Sequence, residues 1–138
     1  MQPLTPDFAV APQIDASDIP AIAAQGVKTI VCNRPDGEEW GQPANAELRA
    51  AAEAAGLDFV EIPVTHAGFS HAQIEALGAV IDQGQPVLAF CRSGTRSTFL
   101  WALTRAARGD DPEGLAETAA KAGYDLSPVY GLLQSLRP

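Results

Sequence analysis

Val87-Leu88-Ala89-Phe90 is apolar at every position, and the seven residues after it, Cys91-Arg92-Ser93-Gly94-Thr95-Arg96-Ser97, are almost entirely polar. A strand with one wet face alternates apolar and polar residues. An unbroken apolar run behind Pro86 therefore predicts a central strand covered on both faces. Two comparable runs, Lys28–Cys32 and Asp58–Ile62, precede it. Alanine- and leucine-rich segments lie between such runs. They close on Gly26, Gly56, Gly84, Gly109 and Gly123, where a helix accepts a left-handed C-terminal residue. Strands alternating with helices predict a parallel-rich sheet with helices on both sides.

The pattern places strands at Phe8–Ala11, Thr29–Asn33, Phe59–Ile62 and Val87–Phe90. Helices are expected from Asp18 to Gln25, Asn45 to Ala55, Ser70 to Gln83, Ser97 to Arg108 and Glu113 to Ala122. Ser70 and Gln73 form a capping box for the third of these. Ser127-Pro128 opens a last helix, with proline at its first position. Arg34–Pro43 reads as a polar loop, and no repeat, linker or low-complexity tract interrupts the order.

At 138 residues, 46% of them hydrophobic, the expectation is a single domain over residues 1–138 with one closed core. Nine basic and seventeen acidic side chains leave a net charge of −8. Such a field repels phosphate backbones and anionic bilayers, so neither nucleic acid nor a membrane is an expected partner. Any anion site must be local. Two cysteines, Cys32 and Cys91, are too few for a disulfide framework. The opening MQPLTPDFAV lacks the pattern of a signal peptide, and no apolar stretch approaches the length of a bilayer span. The expected setting is a reducing cytoplasm.

Sites in such sheets form beyond the carboxyl ends of the strands, where the Cys91–Ser97 loop falls. Loop amides and a helix N-terminus there give positive potential that suits an anion, and that favours a thiolate over a thiol. Cys91 is the expected nucleophile. Arg92, Ser93, Gly94 and Thr95 are expected to cradle the anion, with Gly94 turning the chain so that its amides face inward. Arg96 is expected to grip two oxygens at once, and Ser97 to cap the helix and donate to the Cys91 sulfur.

The whole chain resembles the phosphatase-like domain of the beta-lactamase-hydrolase-like family, a bacterial relative of the dual-specificity protein tyrosine phosphatases. The residues that carry the resemblance are Gly26–Val31, Asn33-Arg34-Pro35-Asp36-Gly37-Glu38-Glu39, Ile62-Pro63-Val64, Ser70–Gln73 and Cys91–Ser97. The resemblance implies an α/β fold: a single-domain protein tyrosine phosphatase-like sandwich with a central, mostly parallel sheet flanked by helices. It also implies a separate metallohydrolase as a partner.

The loop departs from phosphatases in three ways. Phe90 stands where they carry histidine. Four residues rather than five separate Cys91 from Arg96. Val64–Phe69 offers no carboxylate as general acid. Cys-Arg-Ser-Gly-x-Arg-Ser resembles the loop of rhodanese-type sulfurtransferases, which need no such acid. On these residues sulfur transfer through a Cys91 persulfide, from a sulfane-sulfur donor to a thiol acceptor, stands ahead of phosphate hydrolysis through a phosphocysteine. A catalytically silent module binding a small oxyanion is the third reading.

The remaining candidates are weaker. His66 is a candidate proton donor from its loop position, and Asp36 is the alternative acid. Arg34 is expected to contribute to the anion's surroundings. Cys32 reads as core packing, with a resolving thiol as the sharper alternative. Trp40 is expected to lid the site or to pack, and Trp101 to lie in the core. His66 and His71 lack a third companion, so no metal is expected, and no cofactor.

Overall fold

The computed structural model describes residues 1–138 as a five-stranded sheet with helices on both faces. The strands are β1 (Gln2–Thr5), β2 (Phe8–Ala11), β3 (Thr29–Cys32), β4 (Asp58–Glu61) and β5 (Val87–Phe90). The helices are α1 (Ile19–Ala24), α2 (Asn45–Ala54), α3 (His71–Asp82), α4 (Thr95–Ala107), α5 (Pro112–Lys121) and α6 (Tyr130–Leu136). Short 3₁₀ turns at Ala16–Asp18 and Ser127–Val129 lead into α1 and α6.

The strand order is β1-β2-β5-β3-β4, parallel except for β1, which runs antiparallel to β2. The sandwich expected from the sequence is present. The apolar run Val87–Phe90 is the central strand, hydrogen-bonded to β2 on one side and β3 on the other. Side chains alternate between two cores. Val10, Val31, Val87 and Ala89 meet Leu100, Leu103 and Leu133 of α4 and α6. Ala11, Ile30, Leu88 and Phe90 meet Ile19, Ile22, Leu48 and Ala52 of α1 and α2. Leu88 and Phe90 are fully buried, and truncating Leu88 to alanine would cost about 2–5 kcal/mol.

Local chemistry explains most boundaries. The Ser70 hydroxyl accepts the Gln73 N–H at 3.2 Å and the Gln73 side chain accepts the Ser70 N–H at 2.9 Å, which completes the expected box at α3. Helix α4 begins at Thr95, two residues before the expected start, because Gly94 serves as its N-cap at φ +91°. Strand β1 is an addition: it holds Pro3 and a register shift, features tolerated at a sheet edge. Trp101 is core, its ring 6.4 Å from that of Phe8. Trp40 neither packs nor lids; it is fully exposed. No helix is long and apolar enough to cross a membrane.

The chain crosses from β2 over β5 to β3, then returns from β4 to β5. The direction of winding therefore changes at β5, the place where parallel sheets open a crevice at their carboxyl ends. The Cys91 loop, the Asn33–Arg34 segment and the Ile62–Val64 segment all leave the sheet at that edge.

Candidate active site

Cys91 follows β5 directly and is only 1% exposed, yet it belongs to neither hydrophobic core. The Gly94 N–H points at its sulfur at 3.1 Å. The left-handed conformation at Gly94 turns the loop so that this amide faces inward, as the sequence predicted. The N–H groups of Arg92, Ser93 and Arg96 have no acceptor within the protein. Inward amides at a helix N-terminus form a concavity that takes negative charge. Ser93 and Thr95 brace the loop from outside: the Ser93 hydroxyl donates to the Thr95 hydroxyl at 2.9 Å and accepts the Thr95 N–H at 3.4 Å.

Arg96 is fixed from its outer end. Its Nη1 and Nη2 donate to the two Glu38 oxygens at 2.7 and 2.8 Å, and Nη1 also donates to the Val64 carbonyl at 2.8 Å. A guanidinium has five N–H donors in a fixed fork. Three are engaged here, which leaves Nε–H and one Nη2–H on the adjoining edge. Two parallel donors are what a bidentate oxyanion needs. Hydrogen bonding to Arg96 is the main cause that lowers the Glu38 carboxyl from 4.5 to about 2, and Glu38 in turn raises Arg96.

Glu38 has a second holder. Arg34, with its side chain 2% exposed, donates to Glu38 at 2.9 Å, Glu39 at 2.7 Å and the Gln13 side-chain oxygen Oε1 at 2.9 Å. It borders the cleft, but its engaged donors serve two carboxylates and the Gln13 amide, so it acts on Arg96 through Glu38. Arg92 is exposed and 3.3 Å from Glu39 at the rim.

Two expectations are corrected. Ser97 does not donate to the sulfur. A hydroxyl has one proton, and Ser97 places it on the Asn33 side-chain oxygen at 2.8 Å. Asn33, buried at 1%, also donates to the Ile62 carbonyl at 2.8 Å and so ties the ends of β3 and β4 to α4. Asp36 does not line the cleft. Its carboxylate accepts the Asn45 N–H at 2.8 Å at the start of α2, where helix N-termini favour negative charge.

His66 does border the cleft, on an exposed turn, and Arg96 lines the same cleft. This cleft holds about 600 Å³ and is walled on one side by Phe69 and Phe99, whose rings lie 6.3 Å apart. An arginine fork beside an apolar aromatic wall suits an organic anion better than a bare ion.

Cys32 stands level with Phe90 across the sheet and faces the α1–α2 core. Its thiol donates to the Arg34 carbonyl at 3.2 Å, and burial pushes it up to about 12. Both cysteines are free.

Sequence reasoning missed Gln13, Tyr124 and the clamping role of Glu38. Tyr124 lies between α5 and α6, and its hydroxyl donates to the Ser93 carbonyl at 3.1 Å. Burial, then the Cys91 charge, raises Tyr124, so the hydroxyl keeps its proton.

A mostly parallel sheet with a cysteine loop between its central strand and a helix, and an arginine in that helix's first turn, defines a domain built around a cysteine, and the comparisons identify it as phosphatase-like. The family described as "Beta-lactamase hydrolase-like protein, phosphatase-like domain" matches residues 1–108, and this chain belongs to that family. It is 40% identical over 119 residues to the beta-lactamase hydrolase-like protein of Agrobacterium fabrum, covering 85% of this chain and 28% of that one. The counterpart in Xylella fastidiosa strain 9a5c is 35% identical over 132 residues, covering 92% and 30%. The chain thus spans less than a third of these relatives' length.

Among solved structures, a candidate phosphatase from Neisseria meningitidis Z2491 superposes with a TM-score of 0.87 at 37% identity, covering 99% of this chain and 97% of that one. Tk-PTP in its active form shares the fold at a TM-score of 0.74 and 19% identity, covering 98% and 94%. These likenesses favour a phosphatase-like hydrolase over the sulfurtransferase, reversing the order suggested by the loop spacing.

Proposed function

We propose that this chain hydrolyses phosphate monoesters with an aromatic or similarly flat organic part, through a phosphocysteine on Cys91. The observation that carries the reading is a Gly94 N–H directed at the Cys91 sulfur in the loop that leads to Arg96, whose fork keeps two donors free of Glu38 and Val64. In the first step the Cys91 sulfur attacks phosphorus, the S–P bond forms and the P–O ester bond breaks. The departing oxygen takes a proton, with His66 as the donor. Amides of the loop and Arg96 hold the three phosphoryl oxygens, whose charge they meet without reorganising. Water then attacks phosphorus and gives a proton to the now neutral His66, the S–P bond breaks, and phosphate leaves with the thiolate and the His66 donor restored.

The same cradle suits sulfur transfer on one count, the four-residue spacing from Cys91 to Arg96. Two assays separate the readings: release of nitrophenol from nitrophenyl phosphate, and thiocyanate formation from thiosulfate and cyanide, each with a Cys91→Ser control. Nitrophenol release lost in the variant supports hydrolysis. Thiocyanate alone, lost in the variant, supports the persulfide. The metallohydrolase partner implied by the resemblance belongs to the same proposal. Its support is that this chain covers only 28–30% of the curated beta-lactamase hydrolase-like relatives.

A further inference from the structure

We propose that Tyr124 is a positioning residue for the nucleophile: through a single peptide plane it holds the Gly94 N–H on the Cys91 sulfur. The Ser93 carbonyl and the Gly94 N–H are the two ends of one peptide group. The Tyr124 hydroxyl donates to the carbonyl at 3.1 Å, and the N–H at the other end reaches the sulfur at 3.1 Å. A peptide group is planar and rigid, so fixing its oxygen fixes the direction of its N–H.

The restraint has work to do. Gly94 has no side chain and sits at φ +91°, so the backbone alone does little to stop this peptide from rotating. Rotation by half a turn would point a carbonyl oxygen at a thiolate. Tyr124 also closes over Gly94: a Cβ built there would lie 2.2 Å from the Tyr124 oxygen. Glycine and tyrosine are thus a matched pair, one allowing the turn and the other holding it. Tyr124 lies beyond residues 1–108, the part that the family matches, so the hold comes from the segment that follows.

The kinetic part of this inference rests on the phosphatase reading; the thiol part does not. The test uses Tyr124→Phe and Tyr124→Ala in the full chain, with the rate of Cys91 alkylation by iodoacetate followed by peptide mass at pH 7 and pH 9. We expect both variants to alkylate roughly three- to tenfold more slowly at pH 7, the scale of one modest hydrogen bond. The deficit should narrow at pH 9, and kcat for nitrophenyl phosphate should fall more than KM changes. Phe restoring the full pH 7 rate where Ala lacks it would reduce Tyr124 to ring packing and overturn the proposal. So would parent rates in both. Urea unfolding of both variants supplies the control for stability: Tyr124→Phe should keep the parent midpoint while it alkylates slowly, and a rate loss that only follows lost stability would overturn the proposal. An alkylation deficit without any phosphatase activity would leave Tyr124's role standing and remove the phosphatase reading alone.

Discussion

Glu38 receives the two terminal nitrogens of Arg96 at 2.7 and 2.8 Å and at the same time accepts Arg34 at 2.9 Å. One carboxylate is therefore the hinge pin between a buried arginine and the arginine of the anion loop. In a molecule of net charge −8, this places a negative group beside the site yet leaves two of the five Arg96 donors, on Nε and Nη2, unengaged.

The Glu38 carboxyl titrates at about 2 in the fold against an ordinary 4.5. Folding therefore favours its ionised form. Its contribution to stability is whole above about pH 4.5 and is lost as pH falls towards 2. Glu38→Gln should flatten the loss of urea resistance between these values and lower kcat/KM by about tenfold, since Arg96 loses a charged anchor. An unchanged acid slope would sink this assignment.

Arg34 is buried and holds three side chains at once. Arg34→Ala should cost about 2 kcal/mol in denaturant unfolding, because it removes a buried stem and three hydrogen bonds whose partners are themselves partly exposed. Arg92→Ala, on the exposed rim, should cost within about 0.5 kcal/mol. Equal losses would show that Arg34 is no anchor.

Cys32 and Cys91 should behave as different reagents. Burial pushes the Cys32 thiol up to about 12, so at neutral pH it remains protonated in the core. Iodoacetate on the native chain should label Cys91 and leave Cys32 untouched, and Cys32→Ala should keep activity. Label on Cys32, or a Cys32–Cys91 disulfide after mild peroxide, would restore the resolving-thiol alternative.

His66 is the one imidazole on the cleft. Replaced by glutamine, it should slow esters with poor leaving groups at least about tenfold while scarcely affecting nitrophenyl phosphate, whose leaving group needs little protonation. An equal effect on both would remove His66 from the proton step.

The sheet was legible because its strands are short apolar runs between glycine-closed helices, and Val87–Phe90 announces a covered centre by lacking alternation. β1 was not, since two prolines in its neighbourhood hide an edge strand whose pairing depends on β2 rather than on propensity. Cys91, Gly94 and Arg96 were legible because one loop holds all three. Glu38, Asn33 and Tyr124 act across 58, 64 and 31 residues of chain, and no local pattern encodes such contacts. Asp36 and Ser97 were misassigned for a related reason. Each has one obvious local chemistry, but the fold offers a nearer partner: the Asn45 N–H for one and the Asn33 oxygen for the other.

The most direct measurement is rapid acid quenching of the chain during turnover of nitrophenyl phosphate, followed by peptide mass analysis. A phosphoryl group on Cys91, absent from Cys91→Ser and seen to decay as phosphate appears, is the predicted result. An unmodified Cys91 under steady nitrophenol release, or a persulfide on Cys91 after thiosulfate with no phosphoryl adduct under any condition, would contradict it.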